Sequence, residues 1–288
     1  MLLSTQPLQG GTLHGRFVQH KLSSKHLEGE RTVTVRYPDS YDPGKEYPVV
    51  YLQDGQNMFD RRTGFMGKEW QVDETFSRLA SEGKVADAFL VAVDNGGAKR
   101  MKEYTHVPDP EYKGGEGEKY EDFVLEELLP NIESSYPIDS DKRVMIGSSL
   151  GGLVSLAISL NHPTSFAAIG SLSASLWWAD GQMPTSILQK DEYADRPRVW
   201  LDMGTEEGSS DTFGTRPIED GKFGSQPQQP NGVQDVRDRA RETGMALLQK
   251  GWKLDEDLRY HEPLGARHNE ESWAGRLDSV LEWLMRGL

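Results

Sequence analysis

The sequence predicts an α/β fold: a mostly parallel central sheet, antiparallel strands on its N-terminal side and helices on both faces. Three observations predict it. Five short, continuous apolar runs recur along the chain, as parallel strands covered on both faces do. Between them lie stretches with apolar residues at helical spacing. Ahead of them stands a segment that alternates apolar with other residues, the pattern of a half-buried antiparallel strand.

Taken in order, residues 11–37 read as two strands around the turn Leu27-Glu28-Gly29-Glu30, the second placing Val33, Val35 and Tyr37 on one face. The buried strands follow at 48–52, 88–93, 143–146, 167–170 and 199–203. Tyr120, Phe123, Val124, Leu128, Ile132 and Tyr136 recur as a helix does, although Pro130 should kink it. Residues 150–161 are apolar nearly all round and read as a buried helix. Val233, Val236, Ala240, Leu247 and Leu248 mark an amphipathic helix, followed by an alternating strand over 252–260. Residues 272–286 close the chain as a helix with Ser272 as its N-cap. No linker divides the chain, so 1–288 reads as one domain with long loops at 96–119 and 204–232. The second loop is rich in Gly, Ser, Gln and Pro and reads as a flap or a mobile connection.

Composition narrows the function. A formal charge of −14 without a stripe of Lys and Arg argues against a nucleic-acid partner. The absence of cysteine removes disulfides, Cys-ligated zinc and thiol nucleophiles together. No apolar run approaches the roughly 20 residues that cross a bilayer, and residues 1–11 lack the basic and apolar regions of a secretory signal. The expectation is a cytoplasmic protein without a membrane partner; the sequence leaves the oligomeric state open. The acidic stretch 111–122 lacks the spacing of a metal loop and reads as a solvated face, so no metal and no cofactor are expected.

Chemistry concentrates at Gly147-Ser148-Ser149-Leu150-Gly151-Gly152, a G-x-S-x-G between a buried strand and a buried helix. A nucleophile on such a sharp turn needs small residues two positions away on either side. Gly147 and Gly151 meet that need for Ser149, whereas Ser148 has Ile146 and Leu150 there. The helix start supplies the Leu150 N–H to a developing oxyanion. A second donor is expected from the loop Gln53-Asp54-Gly55-Gln56-Asn57, where Gly55 lets the backbone approach substrate and Gln56 offers its N–H.

A serine hydroxyl needs a base, and on this fold the chain order is serine, acid, histidine. Beyond the last strand only His261 and His268 remain. His261 ends the strand, so His268, in the loop before the final helix, is the candidate. The acid belongs after the strand at 199–203, where Asp202, Glu206, Glu207 and Asp211 stand. Asp202 lies within the strand and should point into a helix layer. Glu206 and Glu207 are adjacent, so both cannot face the histidine.

With these pieces placed, the chain resembles the putative-esterase family of α/β hydrolases, which includes siderophore (enterochelin) esterases, feruloyl and acetyl-xylan esterases and mycolyltransferases. The carriers are Asp54-Gly-Gln-Asn-Met-Phe-Asp60, Glu69-Trp70, Val93-Asp-Asn95, Arg100 with Glu103-Tyr104, the Ser149 motif, Gly204-Thr-Glu-Glu207, and His268 with Trp273. The resemblance runs from about Arg31 to the end. It implies an α/β-hydrolase fold, Glu207 as the acid ahead of Glu206, and pocket positions for Trp70, Arg100, Tyr104 and Trp177-Trp178. It also implies a small-molecule ester as substrate, with sugar esters favoured because the extra domain of siderophore esterases is missing. The rivals are a siderophore esterase, an acyltransferase with the same triad, and an inactive binding module. Release of nitrophenol from a nitrophenyl ester separates the last of these from an enzyme.

Overall fold

The computed structural model describes residues 2–207 and 236–288. The strands are β1 (Leu2–Leu8), β2 (Phe17–Ser23), β3 (Glu30–Arg36), β4 (Tyr47–Gln53), β5 (Phe89–Val93), β6 (Ile138–Ser148), β7 (Ala168–Leu172), β8 (Arg198–Asp202) and β9 (Leu258–His261). They form a single sheet in the order β1-β2-β3-β5-β4-β6-β7-β8-β9. β1, β2, β3 and β5 pair antiparallel, and every pairing from β5 through β4 to β9 is parallel.

The helices are α1 (Val72–Ser81), α2 (Arg100–Glu103), α3 (Gly117–Asp122), α4 (Leu129–Glu133), α5 (Leu150–Asn161), α6 (Trp178–Gln189), α7 (Val236–Gln249), α8 (Glu270–Ala274) and α9 (Leu277–Leu284). The continuous apolar runs of the central strands have a simple cause: alternate side chains enter two different cores. Val49 and Tyr51 join Phe89, Val91, Met145 and Leu201 on the side of α5 and α7. Val50 and Leu52 join Leu90, Ile146 and Trp200 on the side of α1 and α9. The parallel strands bring their C-terminal ends to one edge, where ligands of such sheets bind.

Several expectations are corrected. β1 was not anticipated, because its residues 3–7 are all exposed and carry no apolar period. Pro130 does not simply kink a helix. It has no N–H to give, and the chain from α3 to α4 passes through a π-helical turn, Phe123–Leu128, with the Leu129 N–H bonded to the Val124 carbonyl. The strand expected over 252–260 is confined to β9, because Asp255 at φ 64 turns the chain before it. The closing helix starts earlier and breaks: Asn269, not Ser272, is the N-cap, its side chain accepting the Ser272 N–H at 2.9 Å, and α8 and α9 are separated at Gly275-Arg276. The stretch 111–122 is not wholly solvated, because Glu121 is buried and takes hydrogen bonds from Asn161, His106 and His162 at 2.8–2.9 Å. Val233, Asp211 and most of the 204–232 loop lie outside the described residues.

Among the described residues no helix is long and apolar enough to cross a membrane. One buried acid makes stability depend on pH. Asp73 in α1 is fully buried; its Oδ2 accepts the His14 N–H at 2.6 Å. Burial, and then the Glu74 side chain beside it, push its carboxyl from 3.8 up to about 8. The folded state therefore holds a proton that the unfolded chain releases, and stability falls as pH rises across that window. Asp73→Asn is neutral at every pH, so its thermal midpoint should exceed that of the wild type at pH 8 and lose that advantage near pH 4. A midpoint at or below the wild type at pH 8 in calorimetry would refute this.

Candidate active site

The backbone is strained at the junction of β6 and α5. Ser149 has φ 56 and ψ −126, a conformation that costs a non-glycine residue about 1–3 kcal/mol and persists only where its surroundings enforce it. The surroundings here are specific. The Ser149 N–H donates to the Leu172 carbonyl at 3.0 Å, and its own carbonyl accepts the N–H groups of Leu153 and Ser175 at 3.1 and 3.0 Å. A Cβ on Gly147 would stand 2.4 Å from the Gly151 carbonyl, so the turn closes only around glycine. The Ser149 Oγ has the Ser175 Oγ 3.3 Å away. Leu150 opens α5, where an N–H has no partner within its own helix and the helix dipole is positive.

The loop after β4 lies against this turn. A Cβ on Gly151 would come within 2.9 Å of the Asp54 Oδ2 and 3.1 Å of the Gln53 Cβ. Asp54 is left-handed (φ 56) and leads into a 3₁₀ turn, Gly55–Asn57, that contains Gln56. The expected reason for Gly55 is corrected: its Cβ would strike the β5 backbone at Ala92 and Val93, 2.7 Å away, so close strand packing demands the glycine. Asp54 is held by Arg100, whose Nε and Nη2 donate at 2.6 and 2.7 Å, and by the Asn95 Nδ2 at 2.6 Å.

The ends of β8 and β9 supply the remaining groups. β6, β7 and β8 are neighbours, so at about 4.8 Å per strand the ends of β6 and β8 stand about 10 Å apart. After β8 comes Glu207, buried, with its Oε2 2.8 Å from the His268 Nδ1; His268 lies on the loop between β9 and α8. Burial alone would raise the Glu207 carboxyl, but hydrogen bonds from His268, Ser173 and the Gly204 N–H hold it below the ordinary range. Glu206 faces the other way, accepting from the Arg267 Nε at 2.9 Å with both side chains about half exposed. His261 is the last residue of β9, and Asp202 points into the α8–α9 layer, where Arg276 binds both its oxygens at 2.7 and 2.9 Å. Removing one partner of a buried pair costs about 3–5 kcal/mol, because the other is left as an uncompensated buried charge.

The two halves of the site are connected. Glu270, two residues after His268, is buried, and burial raises its carboxyl; Asp54 acts in the same direction, while His268 and Arg100 oppose it. The loop carrying His268 thus shares a field with the Asp54–Arg100 pair beside Gln56. The expected pocket residues divide. Trp70 (1% exposed) and Tyr104 (0%) offer no surface to a ligand. Trp70 packs on Trp273, whose ring is 5.1 Å from that of His268, and the Tyr104 hydroxyl accepts the Asp54 N–H at 3.4 Å. Both stand behind the site. Arg100 keeps a quarter of its side chain exposed beside it. Trp178 lines a cavity of about 110 Å³ with Leu153, Ala157, Met183 and Ile187. Ser173, Ser175 and Arg276 were not foreseen; apart from the run of small residues at 173–175, the sequence carries no signal for them.

A sheet of this order, with a strained serine where a parallel strand enters a buried helix, is an α/β-hydrolase fold. The chain belongs to the family described as Putative esterase, whose model matches residues 24–284, and is an ester hydrolase by class. It is 26% identical over 272 residues to the uncharacterized protein YbbA of Bacillus subtilis, covering 91% of this chain and 95% of that one. It is 28% identical over 175 residues to the ferri-bacillibactin esterase BesA of the same organism, covering 54% and 57%. A solved ferulic acid esterase superposes with a TM-score of 0.65 at 21% identity, covering 94% and 98%, a likeness of fold.

Proposed function

We propose that the chain is a serine carboxylic-ester hydrolase that works through an acyl-enzyme. His268 takes the Ser149 proton as Ser149 attacks the ester carbonyl, and the N–H groups of Leu150 and Gln56 receive the developing oxyanion. The intermediate collapses; the alcohol leaves with the proton from His268. Water, activated by the same imidazole, then releases the acid. Glu207 keeps His268 protonated at Nδ1 and stabilises the imidazolium. The observation that carries this reading is a left-handed Ser149 at the C-terminal end of β6 and a carboxylate-held His268 on the loop after β9, at the same end of the parallel strands.

The substrate class we infer is an acyl ester of a sugar or a similar small ester. In support, the partly exposed rings of Tyr112 and Trp177 pack together with centroids 5.7 Å apart, Trp177 standing two residues after Ser175. Such rings are the surface on which a sugar or an aromatic acid stacks. A siderophore ester is the second reading, favoured by the likeness to BesA.

A fluorophosphonate probe should add one label to the peptide carrying Ser149, and an acetylated sugar, methyl ferulate and a catechol trilactone, compared by kcat/KM, should rank the substrates. Labelling of a different serine in turnover-competent protein would overturn the mechanism. A trilactone preferred by more than about tenfold, roughly 1.4 kcal/mol of transition-state binding, would select the second reading.

A further inference from the structure

Ser173, the residue after β7, is fully buried and left-handed at φ 44. Three side chains meet its hydroxyl. The Trp273 Nε1 donates to it at 3.0 Å and the Arg276 Nη2 at 2.6 Å, while the Glu207 Oε1 forms the third contact. An indole N–H and a guanidinium N–H donate and never accept. Both lone pairs of the hydroxyl are therefore engaged, and its one proton is directed to Glu207. That same Oε1 also accepts the Gly204 N–H at 2.8 Å, which leaves Oε2 for His268. Arg276 cannot drift from this role, because Asp202 and the Ser272 carbonyl, at 2.9 Å, hold its other nitrogens. Glycine would adopt φ 44 more easily than serine, yet a hydroxyl stands there.

We infer that Ser173, its hydroxyl oriented by Arg276 and Trp273, is a positioning residue for Glu207: it assigns one carboxylate oxygen to the scaffold and the other to His268. The inference rests on His268 being the base of the proposed reaction. The charged groups facing this cluster are Asp202, Arg276 and Glu270, with the Asp54–Arg100 pair beyond Glu270 and the Glu206–Arg267 and Lys68–Glu271 pairs on the outer side.

The test is Ser173→Gly in the full chain, a change that suits the backbone and removes the hydroxymethyl group, and with it the hydroxyl. A carboxylate that no longer shares its charge with Ser173 holds a protonated imidazole more tightly. The acidic limb of the pH–kcat/KM profile should therefore move up by about half a unit or more. kcat should fall about 10- to 100-fold, the usual effect of losing a group that orients a catalytic ligand, with KM changed less than about twofold. Arg276→Lys keeps a cation for Asp202 but lacks the fork that reaches Ser173; it should shift the limb the same way by less, and it carries the test should Ser173→Gly not fold. A role confined to stability would lower the thermal midpoint and leave the limb in place, and that result would overturn the inference. Ser149→Ala, run beside these variants, separates the two claims. Wild-type turnover in it would overturn the mechanism and this inference together, whereas lost turnover with an unmoved limb in Ser173→Gly would overturn the role of Ser173 alone.

Discussion

Ser149→Ala is expected to lower kcat for any substrate ester by on the order of 10⁴-fold or more, with thermal stability at or above that of the wild type. The reason for the large effect is that the covalent step has no substitute group. Ser148, the neighbouring hydroxyl, is buried as the last residue of β6, opposite Leu172 in the sheet, and Ser175 is buried as well. The reason for retained stability is that alanine keeps the turn's backbone hydrogen bonds and loses only the 3.3 Å contact with the Ser175 hydroxyl. Stopped-flow measurement with a nitrophenyl ester should also lose the initial burst of an acyl-enzyme. Residual turnover within about tenfold of the wild type would remove Ser149 from the chemistry.

Glu207→Gln should lower kcat nearly as far, by about 10⁴-fold, through the tautomer of His268. Two donors, the Gly204 N–H and the Ser173 hydroxyl, fix an acceptor at the Oε1 position. A glutamine must therefore turn its carbonyl oxygen to them and its NH₂ toward the His268 Nδ1. That forces the imidazole to carry its proton on Nε2, the wrong nitrogen for taking one from Ser149. Glu206→Gln, which removes the charge from a half-exposed pair with Arg267, should leave kcat within about twofold, as surface ion pairs contribute little. The two variants, measured side by side, decide between the adjacent acids; equal losses would refute the assignment to Glu207.

Much of the sheet could be read from the chain because its physics is local. A parallel strand covered on both faces must be apolar at every position, and 48–52, 88–93 and 199–203 declare this without knowing their partners. The Gly147–Ser149–Gly151 spacing was legible for the same reason, since the clash it avoids is between residues four apart. β1 was not legible, because an exposed edge strand has no apolar period, and its only reason to be a strand is the partner β2. The helix break at Gly275-Arg276 was hidden for a related cause: Arg276 serves Asp202, 74 residues away.

What the sequence by itself determined is the succession of buried strands and helices and the residue types of the candidate site, because hydrophobic period and turn sterics act over a few residues. The family resemblance put Glu207 ahead of Glu206, but the contact of Glu207 with His268, and the burial of Trp70 and Tyr104 behind the site, were decided by the tertiary structure. The physical reason is that a side chain's direction at the end of a strand depends on donors that arrive from distant segments. Ser173, Gly204 and His268 converge on one carboxylate, and no local pattern in the chain records that meeting.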